Sequence, residues 1–165
     1  DGSKGNELWE LLWEAGQEFK ISAGGPNIIL RLEGGILSYL ADIDRSNNPY
    51  EVGLDWLVDL EQEDDFIGKE ALRLVCQNGP TKKLMGAEIH GDPIEDSNAD
   101  HWPVFINGKK VGSMNAMAYS PRLDRNICYT ILDIEHAKSG QEIVIAAPEK
   151  DLMATTIDLP WRERA

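Results

Sequence analysis

The sequence predicts an α+β chain, with an α/β portion over residues 1–78 followed by a small antiparallel β-barrel over 79–165. Three observations carry this reading. Apolar residues recur at helical spacing near the start, the texture switches after Asn78-Gly79-Pro80 to short alternating segments, and turn residues bound each of those segments.

From Asn6 to Phe19, the residues Leu8, Leu11, Leu12, Ala15 and Phe19 fall on one helical face, with Asn6 placed to cap the first turn. That pattern predicts a surface helix with one buried stripe, and Trp9 and Trp13 form an adjacent row expected to pack in the core. Gly24-Gly25 stops the segment, and Pro26 suits the first turn of a new helix, where its missing N–H costs nothing. Ile28, Ile29 and Leu32 supply that helix's apolar face, and Gly34-Gly35 ends it, because glycine is costly in a helix interior. Asp44 to Pro49 is a cluster of turn residues. Leu54 to Leu60 reads as a strand, and the acidic run Glu61 to Asp65 leads into a helix near Ile67 that buries Ile67, Ala71, Leu74 and Val75. Beyond residue 79, strands are expected at 83–90, 102–107, 109–119, 127–134, 142–147 and 152–159. Asn107-Gly108 is the best hairpin signal, with further turns at Ser139-Gly140 and Pro148 to Lys150.

With 165 residues, 42% of them hydrophobic, the chain can bury a core without disulfides or metal. A formal net charge of -13 argues against nonspecific nucleic-acid binding, which needs a basic face to neutralise phosphates. No run approaches the roughly 18 apolar residues of a membrane span. Cys76 and Cys128 lie in apolar sequence without a C-x-x-C spacing, which predicts reduced, buried thiols in a cytoplasmic protein.

No phosphate-binding glycine loop, nucleophile elbow or zincin motif is present. His90 and His101, among Glu88, Asp92, Glu95, Asp96 and Asp100, read better as a solvated loop than as a metal site, and no metal is expected. The carboxylates between Asp55 and Asp65 suit a helix start better than acid–base work, because negative charge is favourable there. His136 beside Glu135 reads as a surface residue.

Three blocks in order, Arg31-Leu-Glu-Gly-Gly-Ile-Leu-Ser-Tyr39, Asn48-Pro-Tyr-Glu-Val-Gly-Leu54 and Phe66-Ile-Gly-Lys-Glu-Ala-Leu72, resemble the folate-dependent one-carbon transferases related to the glycine-cleavage T-protein. The helix at Glu7 to Gly16, Val111-Gly-Ser113, Ala118-Tyr-Ser-Pro121, Asn126 to Thr130 and Thr156 to Trp161 extend the resemblance over nearly the whole chain. Aminomethyltransferases of this family typically read G-A-R-D-x-L-R-L-E where this chain has Gly25-Pro-Asn-Ile-Ile-Leu-Arg-Leu-Glu33, so Asn27 replaces an arginine that helps hold the folate. An amide cannot reproduce a guanidinium's two-point grip on a carboxylate. The Pro26-Asn27 pair, with Gly34 to Tyr39 and Asn48 to Glu51, is instead similar to the dimethylsulfoniopropionate demethylases, although Leu40-Ala41 replaces their usual G-N.

The resemblance implies the carboxy-terminal part of a tetrahydrofolate-dependent methyltransferase: residues 1–78 as part of a folate-binding domain, and 79–165 as the family's barrel. It places the catalytic aspartate upstream of Asp1, so no catalytic residue and no activity are expected in residues 1–165 alone. Asn27 and Arg31 are expected to line or brace the folate site, Tyr39 to lie near the substrate, and Arg122 to approach folate's glutamate tail. The structural alternatives are an Arg31–Glu33 pair and a buried Tyr39. Implied partners are a small-molecule methyl donor and a second copy in a homodimer, with a carrier protein only for an aminomethyltransferase. A noncatalytic folate-binding or interaction module of the same fold is the other class of reading.

Overall fold

The computed structural model describes residues 2–24, 27–97 and 100–161. The stop at Gly25 and the first-turn role of Pro26 lie outside the described residues. Helix α1 (Gly5–Gly16) continues through a 3-10 turn (Gln17–Phe19) and stops at Lys20 in the left-handed region. Asn6 does not cap it. Lys4 holds that position without a side-chain hydrogen bond, and Asn6 sits inside the first turn.

The expected buried stripe of α1 is exposed. Leu8, Leu11 and Leu12 are each more than half accessible, Phe19 is 75% exposed, and Ala15 is exposed too. Helix periodicity selects a face but does not supply a neighbour, and the substantial contacts of α1 are with the turns at its own ends. Trp9 and Trp13 stack on each other at the surface, with centroids 6.2 Å apart, rather than in a core.

Helix α2 (Ile28–Glu33) ends as the glycines predict. Gly35 has φ +71, with Gly35 N–H donating to Leu32 O and Ile36 N–H to Arg31 O, a Schellman closure. The segment expected as a strand at 54–60 is a 3-10 turn (Asp55–Leu57) with Trp56 exposed, since among the described residues no strand lies beside it to complete a ladder. Helix α3 (Lys69–Asn78) begins two residues after the expected Ile67 and rests only lightly on the body. Val75 and Leu72 are half-buried, whereas Ile67, Ala71 and Leu74 are exposed.

All six expected strands form: β1 (Lys82–Ile89), β2 (Trp102–Ile106), β3 (Lys109–Ser120), β4 (Arg125–Asp133), β5 (Glu142–Ala146) and β6 (Asp151–Ile157). Every pairing is antiparallel, in the order β1-β4-β3-β2-β5-β6, and β6 returns to β1 to close a barrel. Asn107 and Gly108 both have positive φ, the geometry of a type I′ hairpin. Met85, Met114, Cys128, Leu132, Ile143 and Ile145 fill the interior.

A second apolar cluster lies on the outside of β1, β3 and β4. Leu84, Ala118, Ile127, Tyr129 and Ile131 meet Leu32 of α2, Val52 and Trp161 there. Strand β4 is therefore buried on both faces, so Asn126 to Leu132 form an unbroken buried run, mostly apolar, rather than an alternating one. Gly112 is fixed by close approach: a Cβ there would lie 2.1 Å from the main-chain oxygen of Ile131. Gly112→Ala is expected to cost about 3 kcal/mol in urea unfolding, because backbone cannot move aside as a side chain can.

Of the two cysteines, Cys128 is buried and Cys76 is exposed, a correction to the expectation that both are buried. Burial pushes the Cys128 thiol up to about 12. Among the described residues, no helix is long and apolar enough to cross a membrane.

Candidate functional site

The first family block folds as a bracket that fastens α2 to the barrel. Asn27 starts the helix: its Oδ1 accepts from the N–H groups of Ile29 (2.9 Å) and Leu30 (3.1 Å), satisfying two of the donors that a helix start leaves orphaned. At the other end, Tyr129 Oη donates to Leu32 O at 3.0 Å. Burial, with the charge of Asp42, raises the Tyr129 phenol further from ionisation despite the opposing effect of Arg31, so it stays a donor.

Arg31 and Glu33 do not pair with each other. The buried Glu33 accepts from the Ser120 hydroxyl on one oxygen and from Arg122 Nε at 2.8 Å on the other. Ser120 Oγ also accepts from Leu123 N–H at 3.1 Å, so this one side chain joins α2 to the loop after β3. Burial raises the Glu33 pKa, but the bonds from Ser120 and Arg122 outweigh it and hold the carboxyl below its usual range. Arg122 thus braces α2 while its side chain remains half exposed.

Arg31 turns the other way, with Nη1 donating to Asp42 Oδ2 and to Ile36 O. Asp42 is buried, and the same oxygen accepts from Ser38 N–H at 2.6 Å. A bulge in β3 at Asn115 turns that amide toward the loop, where its Nδ2 donates to Asp42 O at 2.6 Å. Tyr39 is more than half exposed on this loop, so it is not a core residue. Leu40 has φ +72, a conformation that favours glycine, which accounts physically for the G of the G-N pair that Leu40-Ala41 replaces. Leu40→Gly is expected to stabilise the chain by about 0.5 kcal/mol, read from its thermal midpoint.

The second block forms another bracket. Asn48 Oδ1 accepts from the N–H groups of Tyr50 and Glu51, and buried Glu51 returns the bond through Oε2 to Asn48 N–H. Thr81 Oγ1 donates to Glu51 Oε1 at 3.0 Å, and Leu84 N–H to Glu51 O at 2.7 Å, tying the turn to β1. Asp42 and Asn115 lie outside the family blocks and their polar types carry no local signal, whereas Ser120 lies in the Ala118-Tyr-Ser-Pro121 block, whose resemblance does not mark it as a partner of Glu33. The Asn-x-x-Glu spacing at 48–51 is that of a capping box and could have revealed Glu51.

Between the brackets runs a groove of about 590 Å³ lined by Gly34, Gly35, Leu37, Tyr50, Trp56 and Leu159 among others. None of Asn27, Arg31, Tyr39 or Arg122 lines it. Arg31 and Tyr39 instead share the 31–42 region through Arg31's bond to Asp42, whereas Asn27 and Arg122 act at the two ends of α2.

His90 and His101 are used separately, His90 Nε2 with Thr155 Oγ1 and His101 Nε2 with Ala41 O, both at 2.8 Å. Among the described residues, no three His, Cys, Asp or Glu side chains are grouped to hold a metal ion. His136 lies 3.1 Å from Glu135 on a short turn.

Comparison with known proteins agrees with this construction. The GCVT N-terminal domain model matches residues 1–62, and the glycine cleavage T-protein C-terminal barrel domain model matches residues 82–161. Dimethylsulfoniopropionate demethylase DmdA of Ruegeria pomeroyi is 33% identical over 98% of this chain, which spans 44% of that protein. An aminomethyltransferase of Parasynechococcus marenigrum is 32% identical over 98% of this chain and 42% of its own length. Another, from Symbiobacterium thermophilum, is 33% identical over 93% of this chain and 41% of its own length. The chain therefore spans less than half the length of these curated relatives. In fold, the crystal structure of glycine cleavage system aminomethyltransferase T from Bartonella henselae matches with a TM-score of 0.72 at 22% identity, over 82% of this chain and 38% of that one. Two models of one family cover most of the sequence and meet the bracket and the barrel in turn, so the chain belongs to the glycine cleavage T-protein family.

Proposed function

We propose that this chain supplies the carboxy-terminal part of a tetrahydrofolate-dependent methyltransferase resembling the dimethylsulfoniopropionate demethylases. The observation that carries this reading is Asn27. Where aminomethyltransferases are expected to place an arginine, this chain has an amide whose oxygen is committed to starting α2. The side chain thus serves the helix, and no guanidinium reaches the folate from this position. Similarity to the Ruegeria pomeroyi demethylase over nearly the whole chain supports the same branch. Aminomethyl transfer is the second reading, favoured by the several aminomethyltransferases of similar identity.

In this reading, Arg31 and Tyr39 face the folate and substrate side, and Asn27 and Arg122 brace it. The residues fit a folate in one respect visible here. Arg31 bonds only through Nη1 among the described residues, leaving its Nε and Nη2 donors for a ligand. A sulfonium is already an activated methyl donor, so the protein's task is to align donor and folate nitrogen and exclude water. A cytoplasmic location accords with two free cysteines, and the methyl donor is a small molecule.

The test uses the full-length protein that carries this chain. With dimethylsulfoniopropionate and tetrahydrofolate it should yield 5-methyltetrahydrofolate, detected by chromatography, whereas residues 1–165 alone should not turn over. Failure there, together with reaction on an aminomethylated carrier protein, would establish the second reading. Folate binding with neither reaction would mark a noncatalytic module.

A further inference from the structure

We propose that Asp42 is a positioning residue that holds Arg31 by one edge, so that the opposite edge of the guanidinium is presented to a carboxylate of the bound ligand. The inference rests on the functional reading above and assigns a role to a residue that no sequence motif singled out.

Arg31 offers five N–H donors in one plane. Nη1 is fully used: its two protons go to Asp42 Oδ2 and Ile36 O, two acceptors belonging to different parts of the loop. That arrangement fixes the plane. The Nε and Nη2 protons, which lie side by side on the other edge, have no partner among the described residues, and the side chain keeps 19% of its surface accessible. Two parallel N–H groups at that spacing match the two oxygens of a carboxylate.

The holder is itself held. The Asp42 side chain is wholly buried, its Oδ2 also accepts from Ser38 N–H, and its main-chain oxygen is gripped by Asn115 from the β3 bulge. Among the described residues, Asp42 Oδ1 has no partner, so the contact to Arg31 is a single-point hold rather than the two-oxygen fork that would consume the outer edge. Because the Arg31–Asp42 pair is close to neutral and the chain carries a net charge of -13, attraction of an anion by bulk charge is weak here. Recognition would depend on the geometry of the fork, which a lysine cannot reproduce.

Two ligands of the proposed reaction carry a carboxylate: the glutamate tail of tetrahydrofolate and dimethylsulfoniopropionate itself. The experiment measures Kd for four compounds on the full-length protein, by calorimetry: tetrahydrofolate, tetrahydropteroate lacking the glutamate, dimethylsulfoniopropionate, and its carboxamide. In the parent protein, one carboxylate-bearing compound should bind more tightly than its counterpart without the carboxylate. Arg31→Lys should reduce that ratio roughly tenfold, the worth of a charge-assisted pair of hydrogen bonds. Asp42→Asn, which keeps an acceptor for Ser38, should reduce the same ratio in the same direction. Lys109→Gln, at an exposed residue that pairs with Glu135, should leave it unchanged.

A merely structural role for Asp42 would weaken all four compounds alike and leave both ratios intact, and that result would overturn the proposal. Loss of the ratio in Arg122→Lys but not in Arg31→Lys would overturn it too, by moving the carboxylate to the other arginine. A ratio lost for the folate pair places the fork at the glutamate tail, and one lost for the sulfonium pair places it at the methyl donor. If the parent protein binds none of the four compounds, the functional reading itself fails and takes this inference with it.

Discussion

Replacing Glu33 by alanine is expected to lower the unfolding free energy by about 3 kcal/mol, measured by urea denaturation. Most of that comes from the buried side of the bracket. Ser120 is itself buried and loses its carboxylate acceptor, and α2 loses its tie to the loop after β3. Arg122 contributes less, because its side chain is half exposed and water replaces the lost partner. Glu33→Gln keeps an acceptor for Ser120 and should fall between alanine and the parent chain.

The same carboxylate gives the bracket a pH dependence of definite sign. Burial raises the Glu33 pKa, yet the bonds from Ser120 and Arg122 bring the folded value below the ordinary 4.5. A carboxyl lowered on folding contributes stability above its unfolded pKa and loses that contribution as the pH falls through the folded value. Glu33→Gln should therefore flatten the loss of stability on acidification below about pH 4.5, relative to the parent chain.

The second large effect concerns α1. Leu8, Trp9, Leu11 and Leu12 are each 58–59% exposed, with Trp13 and Phe19 exposed beside them. Water disfavours a contiguous apolar surface of that kind, and the curated relatives are more than twice as long as this chain. Residues 1–165 alone should self-associate, with a sedimentation coefficient that rises with concentration. Leu8→Glu combined with Leu12→Glu should give a monomer at unchanged thermal stability, because neither leucine is packed. A parent chain that stays monomeric over the whole concentration range would show that this face does not need a cover.

The barrel was legible in the sequence because its signals are local. Asn107-Gly108 specifies a tight hairpin through its own backbone preferences, and turn residues bound the short segments that become strands. Helix α1 was legible as a helix but not in its burial, since a 3.6-residue period is the same whether or not a neighbour exists. Leu54 to Leu60 misled for a related reason: apolar content suggested a strand, but a strand needs a partner, and Asp59 instead bonds its Oδ1 to Glu61 N–H. The site was half legible. Arg31 and Glu33 stood out because they lie in the first family block, but their partners could not, because Asp42 and Ser120 lie 11 and 87 residues away and Asn115 reaches Asp42 over 73. The alternative that Arg31 and Glu33 pair with each other was replaced by two brackets pointing in different directions.

In the full-length protein, α2 and the 36–44 loop, held by Asp42 and Glu33, are proposed to face the folate, and hydrogen–deuterium exchange with and without tetrahydrofolate decides it. Exchange over residues 27–44 is expected to slow on binding, with no change at the β5–β6 hairpin. Tight tetrahydrofolate binding with exchange over 27–44 unaltered would overturn the proposal.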